Sequence, residues 1–355
     1  MGDTRRTWAA WSEDSIHVYR RREDGSVERQ SLPRATKADL RYFVTLHRTD
    51  DGTLLLRSGD DGRTRLDTAA DGAGLRPVEG LPERLASLPP YRVVPFRDGT
   101  LGGLRPDRAQ LVLWTPGDAP VVRSLPEGFE VRDVDRDADG RLWACGSLPS
   151  QRLRSIGRRR ALATSDDRGR SWQVHGTVHG GLKVALRSLL SGAETTYRTV
   201  DVVGDRVVLS AETEGYGDTS TFLFVRDADG EWRTGTLDDD VLRSVVPDGD
   251  GGTTVIGHYG GSVSVPPSGR WRYRDLSPRV DRLVRQEAAP PSDARYEVLD
   301  ARPADDGARV VVVSVRVPEE GRLVRFGEAV AVLTDDGDRA VAFHGREDPE
   351  IVTAV

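Results

Sequence analysis

Residues 131–146 and 161–176 read VRDVDRDADGRLWACG and ALATSDDRGRSWQVHG. In the first, Asp139-Gly140 separates an alternating run from an apolar one; in the second, a polar turn centred on Gly169 separates ALAT from SWQVH. Asp-Gly between short extended runs is a strong hairpin signal, because a tight turn needs positive φ, which glycine adopts freely and aspartate tolerates. Two hairpins in succession make four antiparallel strands, a complete small sheet.

The same pair of hairpins recurs along the chain. Hairpins of the first kind begin at Phe43, Tyr91, Val131, Tyr197, Leu242 and Tyr296, and a hairpin of the second kind follows each, with one more before them all. One landmark per second hairpin, at Val27, Val78, Val121, Trp172, Trp232, Trp271 and Val341, gives a mean spacing of about 52 residues, and 355 residues divided by seven is about 51. Seven four-stranded units of that length predict an all-β seven-bladed β-propeller. The blades cover residues 7–33 with 350–355, then 42–80, 91–126, 130–176, 196–236, 241–276 and 295–345. Unit 1 starts at TWAAWS, its second strand, while EIVTAV at 350–355 has no partner in unit 7. The C-terminal run is therefore expected to supply the first strand of blade 1 and remove an open sheet edge. Helical periodicity is confined to KVALRSLL, residues 183–190.

Composition fits a globular chain. Apolar residues make up 37%, and 38 glycines add to them. The net charge of −6 gives no overall attraction to nucleic acid or anionic lipid. Lys37 and Lys183 are the two lysines among 51 basic residues, so most arginines reflect coding bias rather than selection for bidentate recognition. A single cysteine, Cys145, permits no internal disulfide and no cysteine-built zinc site. With no signal-peptide core at the start and no 18-residue apolar run, the expectation is a soluble, monomeric, cytoplasmic protein without metal or cofactor.

SDDRGRSW, residues 165–172, matches Ser-x-Asp-x-Gly-x-Ser/Thr-Trp at every fixed position and resembles the Asp-box, or BNR repeat, of sialidase-like β-propellers. In such a turn Asp167 accepts hydrogen bonds from turn amides and Gly169 supplies positive φ. Ser165 and Ser171 flank it, with Trp172 packing between sheets. DADGEW at Asp227 and PSGRW at Pro267 keep only the glycine and tryptophan. The resemblance to sialidases implies an arginine for the substrate carboxylate in a Tyr/Phe-Arg-Ile-Pro motif. YRVVPFRDGTL at Tyr91 resembles that motif, with one extra residue between Arg92 and Pro95 and a place in the third unit. Tyr-Arg recurs at Tyr197, so the repeat also accounts for Arg92. The acid and nucleophile that the family requires have candidates in Glu13, Asp14, Glu212 and Tyr216, which no spacing selects.

Other constellations are weaker. His175 and His179 stand four apart but in a strand end and a glycine-rich loop, which suits unliganded histidines. Cys145 lies in LWACG, as a buried small hydrophobe would.

In a propeller blade the first-to-second and third-to-fourth strand turns share one end, and the second-to-third turns and blade links share the other. The long insertions, 147–160, 176–196, 211–219, 277–295 and 316–328, all fall at the second end, where loops on a rigid scaffold concentrate binding residues. SLPSQRLRSIGRRR carries Arg152, Arg154, Arg158, Arg159 and Arg160; the next insertion is acidic around Tyr216, and GHYGG contributes His258 and Tyr259. These eight residues are the candidate ligand-binding set, for an anionic ligand or a protein partner. The expected function is a non-catalytic binding or scaffold propeller using this long-loop end. Alternatives are a glycan-active enzyme resembling sialidases or other propeller glycosidases, and a propeller lyase acting on a small molecule.

Overall fold

A computed structural model describes residues 6–11, 15–22, 24, 26–33, 44–60, 63–70, 73–149, 158–176, 196–212, 221–237, 240–248, 251–303, 308–334 and 337–354. The chain is a seven-bladed β-propeller, almost entirely β. Each blade is a four-stranded antiparallel sheet. Blade 1 takes Glu350–Ala354 as its first strand, followed by Arg6–Trp11, Ser15–Arg21 and Val27–Pro33. Blade 2 is Thr45–Arg48, Leu54–Asp60, Arg63–Ala69 and Arg76–Pro77; blade 3 is Val93–Pro95, Leu101–Arg105, Gln110–Trp114 and Val121–Ser124. Blade 4 is Glu130–Arg136, Leu142–Pro149, Arg158–Ser165 and Gln173–His175, and blade 5 is Thr196–Val203, Arg206–Glu212, Thr221–Arg226 and Trp232–Leu237. Blade 6 is Leu242–Pro247, Thr253–Gly257, Gly261–Val265 and Arg272–Asp275, and blade 7 is Arg295–Pro303, Arg309–Glu319, Arg322–Leu333 and Arg339–Gly345.

Two compact units divide the chain. Met1–Arg48, Gly52–Val78 and Arg243–Val355 form one, holding blades 1, 2, 6 and 7; Thr49–Asp51 and Glu79–Leu242 form the other, holding blades 3, 4 and 5. In the first unit the C-terminal strand pairs antiparallel with the N-terminal one, Trp8 opposite Ala354 and Ala10 opposite Ile351. Trp8 is buried and stacks on Tyr19 with ring centroids 5.4 Å apart, and Ile351 and Ala354 join it in one apolar cluster.

Burial follows strand position. The second strand of blade 4, Leu142–Pro149, is buried from Leu142 to Ser147, as expected for a strand covered on both faces, whereas the fourth strand of blade 6 is exposed throughout. In the second unit Tyr197, Phe222 and Phe224 are fully buried, with Tyr197 and Phe224 edge to face at 5.5 Å, and each such side chain contributes about 2–3 kcal/mol through burial.

Several described segments differ from the sequence expectation, among them residues 316–328, expected as a long insertion, where residues 316–319 pair with residues 322–325 as a strand extension of blade 7. Residues 277–287 form a helix whose Val280, Leu283 and Val284 enter the blade 6–blade 7 core, where the sequence reading placed an irregular insertion. The spacing of those three residues is helical, but a single short stripe between strands carries little weight against a strong two-residue alternation on either side. The helix expected at 183–190 lies outside the described residues. The hairpin of blade 4 also extends further than expected, with Ser147, Leu148 and Pro149 pairing with Arg160, Arg159 and Arg158. Those three arginines therefore stand on a strand and not in a loop.

Candidate functional site

At the long-loop end of blade 6, the turn between Thr253–Gly257 and Gly261–Val265 carries His258 and Tyr259. Tyr259 is 57% exposed, and its ring meets that of His258 edge to face at 4.8 Å. His258 is held from two sides. Its Nδ1 lies 3.2 Å from the Val298 carbonyl and its Nε2 4.0 Å from Glu297, which in turn accepts a 2.9 Å bond from Arg316 Nε. The backbone repeats the connection, since Val298 N donates to the His258 carbonyl at 2.6 Å.

The helix behind this turn fixes it further. Leu276 N donates to the Gly260 carbonyl at 2.9 Å, and a Cβ on Gly260, at φ +89°, would come within 2.8 Å of Ser277 Oγ. The helix is tied to blade 7 through Tyr296, whose hydroxyl donates to Asp281, a carboxylate that also accepts from Arg285 at 2.8 Å. Burial and the Asp281 bond raise the Tyr296 pKa, while Arg285 draws that of Asp281 down. The result is an exposed aromatic ring on a backbone with little freedom.

The second unit presents a different chemistry. On the first strand of blade 4, Val131 and Val134 pack towards blade 3, and Asp133 and Asp135 face the first strand of blade 5. That strand has a ladder partner on one side only, so alternate N–H groups need other acceptors. Asp133 accepts from Val200 N at 3.0 Å and from Val134 N at 2.9 Å; Asp135 accepts from Val202 N at 2.6 Å and from Arg136 N at 2.7 Å. Enclosure, reinforced by the Asp201 carboxylate, pushes Asp133 up to about 8; enclosure pushes Asp135 up to about 7 against the pull of the same amide bonds. A register shift between Val131 and Asp133 brings the backbone of Glu130 close to Gly146, where a Cβ would stand 2.0 Å from the Glu130 carbonyl oxygen. Cys145, beside it, is buried, and that burial pushes its thiol up.

The candidates from the sequence are spread over both units. Arg152, Arg154 and Tyr216 lie outside the described residues, as do Glu13, Asp14 and His179. Arg158 and Arg159 are on the third strand of blade 4. Arg160, next to them, is half-buried, its guanidinium over the rings of Tyr197 and Phe224 at 5.6 and 5.4 Å, and burial lowers its pKa. Arg92 ends a single 3-10 turn ahead of its strand and lies over the Tyr91 ring, whereas Tyr197 is buried within a strand, so the two Tyr-Arg pairs are not equivalent. His175 closes the fourth strand of blade 4 and bonds Thr164 Oγ1 at 2.8 Å. Among the described residues no group of three His, Cys, Asp or Glu side chains is arranged to hold a metal ion, and no helix is long and apolar enough to cross a membrane.

At residues 165–172, Ser171 donates to Asp167 through N at 2.9 Å and Oγ at 2.6 Å, Ser165 Oγ donates to Asp167 at 2.8 Å, and Gly169 N donates to Ser165 Oγ at 2.7 Å. The Ser171 bonds hold the Asp167 carboxyl down to about 2. Gly169 is at φ +79° and Arg168 at +58°, both left-handed. Trp172 is half-buried against the blade 3–blade 4 core.

No local sequence signal singles out Asp133 and Asp135, because the charged residues at 132, 133, 135 and 136 in VRDVDR do not settle which face each takes. What marks them is the glycine at 146 opposite a bulge, which only the pairing register makes visible.

No family model and no curated protein matches the chain. Among solved structures, apo AztD from Citrobacter koseri is similar with a TM-score of 0.50 at 13% identity, over 99% of this chain and 97% of that one. The WD40 β-propeller domain of Doa1 gives 0.49 at 11% identity, over 90% of each chain. A streptogramin B lyase gives 0.47 at 8% identity, over 88% of this chain and 91% of that one. At these identities the likeness is one of fold.

Proposed function

We propose that the chain is a non-catalytic binding propeller that engages a protein partner at the long-loop end of blades 6 and 7. By the pattern at Ser165–Trp172 we place it with the Asp-box, sialidase-like propellers. The observation that carries the binding reading is Tyr259, a large exposed ring whose supporting turn is fixed by His258, Glu297, Arg316 and the helix at 277–287. A rigid aromatic with polar neighbours loses little entropy on contact and matches the residue type that dominates binding energy at interfaces. In the second unit, the basic segment that includes Arg152, Arg154, Arg158 and Arg159 would attract an acidic partner by charge.

Glycosidase or lyase chemistry has one observation in its favour, the raised pKa values of Asp133 and Asp135, which fall where general acids operate. Both oxygens of each carboxylate are, however, engaged by amides, and this supports a structural role.

Selecting a random peptide display library on the immobilised protein tests the proposal. Peptides recovered on the wild type should lose at least tenfold in affinity on Tyr259→Ala and keep it on Tyr273→Ala, a control ring that is 58% exposed on the fourth strand of blade 6. Equal loss, or no loss, in the two variants would remove Tyr259 from the site.

A further inference from the structure

A cavity of about 480 Å³ opens where the first-to-second and third-to-fourth strand turns of blades 3 and 4 meet. This volume is within the range of small-molecule sites, roughly 300–1,000 Å³. Four arginines, Arg123, Arg136, Arg168 and Arg170, line it against two aspartates, Asp98 and Asp118, leaving a local excess of two positive charges in a chain of net charge −6.

The four cations are not equally committed. Arg136 is ion-paired with Asp98, which also accepts from Thr100 N at 3.0 Å and Thr100 Oγ1 at 3.1 Å. Among the described residues Arg123 engages only through its Nε, donating to the Arg168 carbonyl at 3.0 Å, which leaves its terminal amino groups for a ligand. Arg168 and Arg170 are exposed, and their guanidinium groups have no ion-pair partner among the described residues. Two glycines make the room. A Cβ on Gly169 would come within 3.0 Å of Arg123 Cγ, and one on Gly140 within 3.1 Å of Arg136 Nη2. The other wall is of another kind, with the exposed Asp118 carboxylate and the paired hydroxyls of Thr100 and Thr115, 3.3 Å apart.

We propose that this cavity binds a phosphate monoester carried on a hydroxyl-rich body, a sugar phosphate. Arg123, Arg168 and Arg170 would take the phosphate oxygens through planar, directed donors, the geometry in which guanidinium exceeds ammonium. Asp118 would accept from sugar hydroxyls, and a carboxylate in that place disfavours a bare multivalent anion. The site is independent of the Tyr259 surface, and each stands or falls without the other.

Isothermal titration of the full chain with ribose 5-phosphate, AMP, ribose and inorganic phosphate tests it. Ribose 5-phosphate or AMP should bind, the tighter of the two identifying a free sugar phosphate or a nucleotide as the source, and ribose should not. Affinity should fall at least tenfold on Arg168→Asn with Arg170→Ser, exposed positions at which asparagine suits the left-handed backbone of residue 168, with an unchanged melting temperature. It should hold on Arg322→Ser, an exposed arginine in the other unit. Absence of binding by both esters, equal binding by the double variant, or inorganic phosphate binding as tightly as its esters would each overturn the proposal.

Discussion

Blades 4 and 5 on one side and blades 6 and 7 on the other solve the same problem with different chemistry. In both places the first strand of the later blade has an edge whose N–H groups the ladder leaves over. Between blades 4 and 5 the acceptors are the carboxylates of Asp133 and Asp135. Between blades 6 and 7 the acceptors that reach across from blade 6 are neutral: Ser244 Oγ accepts from Ala301 N at 3.1 Å, and the His258 carbonyl accepts from Val298 N. A hydroxyl or carbonyl joins two blades identically at every pH, whereas an enclosed carboxyl ties the joint to its own protonation. The difference shows that a repeat can conserve a geometric requirement while leaving its chemistry free.

The limiting case is the blade whose first strand comes from the far end of the chain. Deleting residues 350–355 removes a whole strand from blade 1, together with the buried Ile351 and Ala354, and exposes the edge at Arg6–Trp11. The expected outcome is a fall in melting temperature of more than about 10 °C, or aggregation on expression, read by calorimetry and size-exclusion chromatography. An unchanged transition would mean that the closing strand contributes nothing.

The carboxylate joint should come next. Asp133 and Asp135 have folded pKa values raised to about 8 and about 7 from the ordinary carboxylate value of 3.8, so between those limits the folded chain holds protons that the unfolded chain has released. Their contribution is fully present below about pH 4 and is lost as pH rises through about 7 to 8. Asp201, Arg97 and the Cys145 thiol are the charged and titratable neighbours that share this environment. The melting temperature should therefore fall from pH 5 to pH 8.5, and Asp133→Asn with Asp135→Asn should flatten that slope while keeping one acceptor at each position. A slope unaltered in the double variant would assign the pH dependence to other groups.

The smallest effect belongs to the neutral joint. Ser244→Ala should cost about 1 kcal/mol or less, because Ala301 N also has Asp300 Oδ1 at 3.0 Å, and the cost should be the same at pH 5 and pH 8.5. A pH-dependent cost would erase the contrast between the two joints.

What was legible in the sequence was local or countable. Asp-Gly turns and two-residue alternation are written within a few residues, and the missing first strand of unit 1 follows from counting hairpins. Register-dependent features were not legible: the bulge at Val131/Asp133, the strand pairing that takes in Arg158–Arg160, and the face on which Asp133 points all depend on which backbone lies opposite. The cavity between blades 3 and 4 is a further case, since Arg123 and Arg168 are 45 residues apart and meet only when the blades pack. Composition had assigned the arginines to coding bias, and composition has no view of neighbours.

The pairing of Ala10 with Ile351 also sets an order of events in time. At roughly 5–20 residues per second, Ile351 leaves the ribosome about 20–70 s after Ala10, long after the later strands of blade 1 have formed their own hairpin. Until then Arg6–Trp11 stands with one side unpaired, in a newly made chain surrounded by other newly made chains. Closing so long a loop costs only logarithmically more than closing a short one, so the exposure is one of duration rather than of equilibrium. Blade 1 is the sheet that this chain completes last.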